Sequence, residues 1–341
     1  MKFLPYICFS KTIQPMSMLD DIRKPVLEDI DAYGTFLKRN VTSDRPFVSD
    51  ILDYIFENRG KGIRPLLVML SAGMHSSCGM GPRTHTACLL VDMLHTASLI
   101  HDDVIDHSDM RHGKPSVNSC WGNHNAVLAG DYIIAKALDT GLHSGQFDIV
   151  TYVTHSLGLL CEGELVQGDH VARLDMTRDV YFDVIYRKTA SLIAASGGVG
   201  ALSVGAPRDK VQGMNLFGKY VGLAFQIKDD ILDYDLDADT GKPSCIDLRE
   251  RKITLPLLHV LENSSENRRN ELLEKLADMD SHPENELYIH DAVVEEGGIE
   301  AAEDTMHGFL SRAASILSQY PQSPYRDSLV LLCAYVADRE K

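Results

Sequence analysis

Two short clusters of aspartates carry the most chemistry in this sequence of 341 residues. Residues 99–106 read LIHDDVID and residues 226–233 read QIKDDILD, so both contain the pattern D-D-x-x-D. The six aspartates are Asp102, Asp103, Asp106, Asp229, Asp230 and Asp233. Side chains four residues apart on a helix share one face, and like charges there repel each other. A hard cation would balance them, because Mg²⁺ is bound by one or two carboxylates together with phosphates and water. Two such clusters facing each other could hold a diphosphate through shared Mg²⁺ ions.

Two other interpretations of the aspartates are weaker. A solvated acidic helix face would not normally follow segments as apolar as Ser98–Ile100 and Leu223–Phe225. A calcium loop that begins at Asp235 needs Gly at its sixth position and Glu at its twelfth. Those positions hold Thr240 and Ile246, so an EF-hand is excluded.

Basic residues accompany both clusters. Met110–Lys114 (MRHGK) follows the first cluster, Thr240–Pro243 (TGKP) follows the second, and Arg59–Pro65 (RGKGIRP) lies upstream of both. Lys188 is the most informative, because it interrupts the apolar stretch IYRKTASLIAAS and a charge among apolar neighbours needs a partner. A P-loop is excluded, since Pro follows the Gly-Lys of TGKP where Ser or Thr is required. The sequence therefore favours a diphosphate site built from metal ions and basic side chains.

The elements that must position these residues have the pattern of helices. In residues 87–105, apolar side chains recur at intervals of three and four residues, which is typical of a buried helical stripe. Similar stretches cover residues 127–142, 149–165, 180–199, 211–232 and 300–317. We predict an all-α fold with a tail over residues 1–20, either disordered or preceding the true start. Residues 21–341 are then one large helical domain, whose size a deep central cavity would explain.

Composition excludes several classes of protein. With 44% hydrophobic residues the chain can bury a sizeable core, so a disordered protein is excluded. No run approaches the roughly 18 apolar residues of a membrane span. The net charge of −16 has the wrong sign for a nucleic-acid binder. Residues 261–341 hold 17 acidic and 7 basic side chains, so the rest of the chain is closer to balance and can accept anionic substrates.

The cysteines indicate a reducing compartment. There are seven, an odd number, and no two form a C-x-x-C pair, which argues against a disulfide framework or a zinc ribbon. The N-terminal segment lacks the apolar run and the cleavage site of a secretory signal. We therefore expect a cytoplasmic protein.

The motifs together resemble those of the trans-isoprenyl diphosphate synthases (polyprenyl synthetases), from about residue 45 to the C-terminus. The matching segments are GKGIRP, LHTASLIHDDVIDHSDMRHGKPSVN, AVLAGDY, GELVQGD, RKTASL, GLAFQIKDDILD and GKPSCIDLRERKITLPLL. Their order and spacing are those of the family. The resemblance implies an all-α homodimer whose helices surround a deep pocket. It also implies an enzyme that joins an allylic diphosphate to isopentenyl diphosphate with Mg²⁺, three ions per site when substrate is bound.

The resemblance also implies roles for individual residues. The six aspartates would hold the Mg²⁺ ions that bridge the allylic diphosphate. The side chains expected to neutralise that diphosphate are Arg111, Lys188, Lys242 and Lys252. Thr189 and Gln226 would lie near the ionising carbon. The residues expected to bind isopentenyl diphosphate are Lys61, Arg64, His95 and, in place of an arginine, His112.

Two segments depart from the family pattern. Arg111–His112 stands where the family usually has two adjacent arginines, so we expect weaker binding of isopentenyl diphosphate than in an arginine-bearing relative. Arg59–Pro65 stands where Gly-Gly-Lys-Arg-x-Arg-Pro is usual, although it keeps the lysine and the second arginine.

The length of the product depends on the residues that precede the first cluster. Ala97 and Ser98, five and four residues before Asp102, are both small, whereas short-chain members often have an aromatic residue there. An open tunnel predicts a product longer than C20. The alternative is that a bulky side chain elsewhere, such as Leu94, Met93 or one from a partner subunit, closes the tunnel.

Three other functions are alternatives to a long-chain synthase. A farnesyl- or geranylgeranyl-type short-chain synthase would share every motif. A class I terpene cyclase normally has N-D-x-x-S-x-x-x-E as its second metal motif, which this chain lacks. A regulatory subunit of a heteromeric synthase usually loses one aspartate cluster, and this chain keeps both.

Overall fold

α-Helices make up nearly all of the regular structure. The structure is a computed structural model that describes residues 17–236 and 245–339. The α-helices are α1 (Met18–Arg23), α2 (Leu27–Asn40), α3 (Pro46–Glu57), α4 (Ile63–His75), α5 (Pro82–Ile105), α6 (Val117–His143), α7 (Phe147–Arg173), α8 (Arg178–Ile185), α9 (Ser191–Ser203), α10 (Arg208–Leu232), α11 (Ile246–Arg249), α12 (Leu255–Asn263), α13 (Glu266–Ala277), α14 (Asn285–Glu295), α15 (Gly298–Leu317) and α16 (Pro324–Asp338). A 3₁₀ turn covers Lys24–Val26, and a π-helical turn covers Tyr186–Ala190.

The described residues contain one small antiparallel ribbon, in which β1 (Met110–Arg111) pairs with β2 (Lys114–Pro115). The prediction of an all-α fold is confirmed. Within the described ranges, no helix combines the length and the apolar character that crossing a membrane requires.

The first helix begins inside the segment that the sequence predicted as a tail. The Ser17 side chain accepts a hydrogen bond from the Asp20 backbone, and the Asp20 carboxylate accepts one from the Ser17 backbone. This reciprocal cap satisfies amide groups that would otherwise lack partners at the helix N-terminus. Leu19 is already buried in the core. Residues 18–20 of the predicted tail therefore belong to α1, whereas residues 1–16 lie outside the described residues.

The centre of the fold is formed by α5, α9 and α10. Nearly every residue of α9 is buried, because the helix packs against α4, α7 and α10. A helix that is apolar on all sides is typical of such a central position. α5 packs against α4 and α6, and α10 packs against α15. The two helices that carry the aspartate clusters, α5 and α10, are therefore fixed by the core along most of their length.

Glycines let α10 approach its neighbours closely. A Cβ atom placed at Gly218 would lie 2.5 Å from the carbonyl oxygen of Ile193, and one at Gly222 would lie 2.6 Å from the Cα of Ala190. These are backbone atoms, which cannot rotate away as a flexible side chain can. The register of α10 against α9 and the π turn therefore depends on the missing side chains.

Substitution of Gly222 by alanine should lower the free energy of unfolding by about 1–3 kcal/mol, because overpacking a tight core forces backbone shifts. Gly308 of α15 is the matched control, since a Cβ there would meet nothing within 4 Å. Gly308→Ala should raise stability by about 0.5–1 kcal/mol, because alanine loses less conformational entropy on folding. Thermal or denaturant unfolding of both variants measures the difference, and equal shifts would contradict the close-packing argument.

Candidate active site

Both aspartate clusters lie at the C-terminal ends of long buried helices. Asp102 and Asp103 are in the last turn of α5, and Asp106 is its C-cap. In the same way, α10 contains Asp229 and Asp230 and is capped by Asp233. The C-terminus of a helix carries partial negative charge, so carboxylates there are unfavourable unless cations offset them.

Within the described residues, one carboxylate of the first cluster has a protein partner. Asp103 is buried and accepts a hydrogen bond of 2.9 Å from Nε of Arg111, whose Nη2 also contacts it. The side chains of Asp102 and Asp106 make no hydrogen bond or ion pair in the part of the chain that the structure describes. Burial, with the nearby charge of Glu164, raises the pKa of Asp102 to about 6. Burial also raises the pKa of Asp106. Both carboxylates would therefore gain from a nearby cation.

In the second cluster every carboxylate is engaged. Asp230 is buried and accepts hydrogen bonds from the Tyr181 hydroxyl at 2.5 Å and from Nε2 of Gln226 at 2.9 Å. Asp233 accepts hydrogen bonds from the backbone amides of residues 246 and 247, at 3.0 and 2.9 Å, and so holds the start of α11. Asp229 pairs with Nη2 of Arg339 at 2.6 Å, and its side chain is 42% exposed.

The π-helical turn between α8 and α9 presents Lys188 and Thr189. An extra residue in a helical turn is frequently found at functional sites, where it redirects a side chain. Lys188 Nζ donates hydrogen bonds of 2.9 Å to Glu164 and to Gln167, both on α7. Thr189 donates one of 2.6 Å to Gln226 Oε1, and Gln226 in turn donates to the second cluster. The predicted partner of Lys188 thus exists, and it is an acidic side chain of the neighbouring helix.

Two lysines act on aspartates of the clusters. The positive charge of Lys188 offsets part of the rise in the pKa of Asp102 and Asp106, and that of Lys252 does the same for Asp106 and Asp233. Both lysines also line a cavity of about 60 Å³. The other polar side chains that line it are Gln167, Tyr181, Thr189, Gln226, Asp230, Asp247 and Thr254. Residues more than 100 positions apart in sequence therefore share one electrostatic environment, as the motifs predicted.

A second group of basic residues lies at the start of α4. Arg64 is half-buried, its Nε is enclosed without a hydrogen-bond partner, and burial lowers its pKa to about 10. Burial and the neighbouring positive charges of Arg64 and Arg111 hold the pKa of His95 well below its usual range. His95 is therefore neutral at physiological pH. The Lys61 ammonium lies 5.5 Å from the centre of the Tyr335 ring.

His112 packs against the loop that precedes α4. A Cβ atom at Gly60 would lie 2.9 Å from the His112 ring, and the ring Nδ1 is 3.3 Å from the carbonyl oxygen of Asn58. His112 therefore lies beside the loop that carries Lys61, and its charge acts on His95.

The other predicted positions have different surroundings. Ala97 is fully buried and Ser98 nearly so, and both lie on α5 one turn before the first cluster. Lys242 lies outside the described residues. Lys252 is described, and its ammonium contacts Glu250.

The structure also assigns neighbours that the motifs did not single out. Asp247 faces Asp233, and burial together with that carboxylate raises its pKa to about 7. Tyr181 and Glu164 bind Asp230 and Lys188, respectively. Glu164 belongs to the motif segment GELVQGD, so the sequence could have indicated a role for it in the site. Tyr181 is an aromatic residue in an ordinary helical stretch, and nothing in the sequence indicated that it would contact the second cluster.

The donor set can be tested against a divalent metal ion. Within residues 17–236 and 245–339, no three His, Cys, Asp or Glu side chains converge closely enough to hold a metal by themselves. The unpartnered pair Asp102 and Asp106 offers hard carboxylate oxygens without closing a cage. That arrangement suits Mg²⁺, which keeps water and substrate phosphates among its ligands.

The chain is similar to known proteins over most of its length. A family model described as polyprenyl synthetase matches residues 45–293. The all-trans-nonaprenyl-diphosphate synthase (geranyl-diphosphate specific) of Rhodobacter capsulatus is 33% identical over 328 residues, which cover 94% of this chain and 97% of the relative. The chain belongs to the polyprenyl synthetase family. It is therefore a prenyltransferase, and the predicted enzyme class is confirmed.

Two further relatives of this polyprenyl synthetase are informative. Heptaprenyl diphosphate synthase component 2 of Bacillus subtilis is 33% identical over 314 residues, which cover 92% of this chain and 88% of the relative. Among solved structures, a polyprenyl synthase from Caulobacter crescentus complexed with calcium and isoprenyl diphosphate has a TM-score of 0.87 at 26% identity. That match covers 96% of this chain and 100% of the other, so the isoprenoid synthase fold extends over the whole domain.

Proposed function

We propose that this polyprenyl synthetase condenses an allylic diphosphate with isopentenyl diphosphate and forms an all-trans polyprenyl diphosphate longer than C20. The observation that carries the proposal is that Lys188 and Lys252 line one cavity with Asp230 of the second cluster. The charges of both lysines also act on Asp106 of the first cluster. Carboxylates beside lysines and a polar cavity form a site for a metal-bound diphosphate.

The surroundings of the aspartates favour different roles for them. Asp102 and Asp106 would bind Mg²⁺ directly, because their side chains have no hydrogen bond or ion pair within the described ranges. Asp229 would also bind it, after exchanging Arg339, since the Asp229 side chain is 42% exposed. The remaining aspartates hold neighbours in place: Asp103 holds Arg111, Asp230 holds Tyr181 and Gln226, and Asp233 holds α11. Bound Mg²⁺ would stabilise negative charge on the leaving diphosphate. We expect three ions when substrate is bound.

The chain's own groups complete the reaction. Lys188, with Arg111 and Lys252, stabilises the charge that develops as the allylic C–O bond breaks and its electron pair leaves with the diphosphate. Thr189 and Gln226 line the same cavity as Lys188, where their oxygens would lie near the allylic cation. The isopentenyl double bond then attacks C1 of that cation, and the released diphosphate takes the proton that is lost. No side-chain nucleophile is needed.

The group at the start of α4 would bind isopentenyl diphosphate. Arg64 and Lys61 supply positive charge, and neutral His95 supplies one hydrogen bond. His112 adds a second imidazole at the position where the family pattern has an arginine, whose charge is permanent. Because isopentenyl diphosphate is not ionised in the reaction, these residues affect its binding more than the chemical step.

Substitution of His112 by arginine should lower the KM for isopentenyl diphosphate by about three- to tenfold, since a guanidinium is always charged and binds phosphate with two hydrogen bonds. Steady-state kinetics with each substrate varied in turn measures the effect. The KM for the allylic substrate should not change. An unchanged or higher KM for isopentenyl diphosphate would show that His112 does not limit this subsite.

Small side chains before the first cluster support a long product. The names of the Rhodobacter and Bacillus relatives denote products of more than four isoprene units. Ala97→Tyr should shorten the product, because an aromatic ring at this fully buried position would block chain growth. Chromatography of the products measures the change, with Ala32→Tyr on the exposed side of α2 as the control. An unchanged product distribution would mean that another side chain sets the length.

A homodimer is the assembly that we propose. Phe147 and Leu165 of α7 are 62% and 76% exposed, and Leu128 of α6 is 52% exposed, so these two helices present large apolar side chains to solvent. Such exposure is typical of an interface. The Bacillus relative is named as one component of a synthase, so a complex with a different subunit is the second candidate. Light scattering distinguishes them: the purified chain should be dimeric and active by itself.

One assay tests the proposed function as a whole. The purified chain is incubated with farnesyl diphosphate, labelled isopentenyl diphosphate and Mg²⁺, and product length is determined by chromatography. We expect Mg²⁺-dependent products longer than C20. Products of C15 or C20 would support a short-chain synthase, and activity only after addition of another subunit would support the heteromer. The single domain over residues 21–341 and the cytoplasmic location stay predictions.

A further inference from the structure

A buried carboxylate on α5 lies outside the machinery described so far. Asp92 is 8% exposed and precedes His95 by one helical turn. Its Oδ2 accepts a hydrogen bond of 2.7 Å from the Tyr33 hydroxyl and one of 3.0 Å from Nη1 of Arg59. Burial and the neighbouring Asp92 raise the pKa of Tyr33 well above its ordinary value, so the phenol keeps its proton and donates. A buried carboxylate with a charged and a neutral donor is a strong anchor.

Through Arg59, this anchor holds the loop over residues 58–62. The loop joins α3 to α4 and carries Lys61. It is tied at two further points: Arg23 donates a hydrogen bond of 2.5 Å to the Lys61 carbonyl, and the Asn58 carbonyl lies 3.3 Å from His112 Nδ1. Of these ties, the one from Arg59 reaches deepest into the core.

Asp92 also acts on Arg64. Asp92 and Asp229 raise the pKa of Arg64, which burial lowers to about 10. The Arg64 guanidinium makes no hydrogen bond within the described ranges. Asp92 therefore helps to keep Arg64 charged without occupying its N–H groups, which stay available to an anionic ligand.

We propose that Asp92, acting through Arg59 and Tyr33, is a positioning residue for the subsite that binds isopentenyl diphosphate. It fixes the loop that carries Lys61 and supports the charge of Arg64. This inference rests on the proposed function. Arg59 stands where the family pattern has glycine, so its ion pair with Asp92 is not part of that pattern. The ion pair fixes the loop over residues 58–62, which His112 also contacts. His112 stands where the family pattern has a second arginine.

Steady-state kinetics of Asp92→Asn, Arg59→Gln and the double variant tests the inference. Each single substitution should raise the KM for isopentenyl diphosphate about tenfold, the effect of losing a hydrogen bond between charged groups. The double variant should be no worse than about the larger single effect, because both substitutions remove the same bond. The kcat and the KM for farnesyl diphosphate should stay within about twofold. A purely structural role would lower thermal stability without this selective change.

Arg83→Gln is the matched control, because it removes another Arg–Asp pair, with Asp148, at the opposite end of α5. It should change neither KM. If Asp92→Asn does not fold, the kinetics of Arg59→Gln alone test the inference. The Arg59 side chain is 31% exposed, so its replacement should disturb the core less. An unchanged KM for isopentenyl diphosphate, or an equal rise for both substrates, would overturn the inference while the wild-type activity upholds the proposed function. A wild-type enzyme that forms no product would overturn both.

Discussion

Replacement of Asp102 by asparagine should reduce kcat by about 100-fold or more, the scale observed when one preorganised electrostatic group is removed from an active site. Asp102 and Asp106 are the two cluster aspartates whose side chains lack a hydrogen bond or ion pair in the described part of the chain. Asparagine keeps the shape and removes the charge. The variant should therefore need a higher Mg²⁺ concentration for half-maximal activity, and a Mg²⁺ titration of the diphosphate-bound protein by calorimetry should show weaker binding.

Asp53→Asn is the control for this experiment. Asp53 is an exposed aspartate of α3, far from both clusters in sequence. Its loss should leave kcat and the Mg²⁺ requirement unchanged. Thermal unfolding of Asp102→Asn should show no loss of stability, because a half-buried carboxylate without a cation partner does not stabilise the metal-free fold. Full activity of Asp102→Asn at low Mg²⁺ would contradict a metal-binding role for the first cluster.

Replacement of Lys188 by glutamine should also lower kcat by about 100-fold or more. The Lys188 ammonium acts on Asp102, Asp106 and Asp247, so its loss removes positive charge from the space between the clusters. Because that charge matters most when the allylic C–O bond breaks, kcat should fall more than affinity for the allylic diphosphate. Rapid-quench measurement of a single turnover separates the chemical step from product release.

The neighbouring residue provides a matched control. Arg187 is also basic and lies in the same π turn, but it pairs with Glu162 and Asp183 on the outer side. Arg187→Gln should keep kcat within about twofold of the wild type. Equal losses in the two variants would indicate that the π turn itself, rather than the Lys188 charge, had been disturbed.

The sequence could not predict which of the six aspartates would be held by protein partners and which would remain available to a metal ion. The two D-D-x-x-D segments are alike, yet Asp103 and Asp230 are buried with partners, whereas Asp102 and Asp106 have none in the ranges that the structure describes. Asp230 bonds to Tyr181 across 49 positions. Asp229 pairs with Arg339 across 110 positions. Pairing over such separations depends on how helices pack, so the spacing of residues within one motif cannot predict these partners.

Local chemistry determined a large part of this protein by itself. Apolar periodicity predicted the helices, and the repeated aspartates predicted a metal-bound diphosphate, because spacing along a helix fixes which side chains share a face. Lys188 stood out as a charge among apolar neighbours, whereas roles for Thr189 and Gln226 came from the resemblance of the motifs to the family. Tertiary structure alone decided which carboxylates remain available, which partner holds Lys188, and that Arg59 is anchored to Asp92. These contacts join helices that are distant in sequence. Close approaches such as that of Gly222 to Ala190, in the π turn that carries Lys188, are likewise defined only by the packed core.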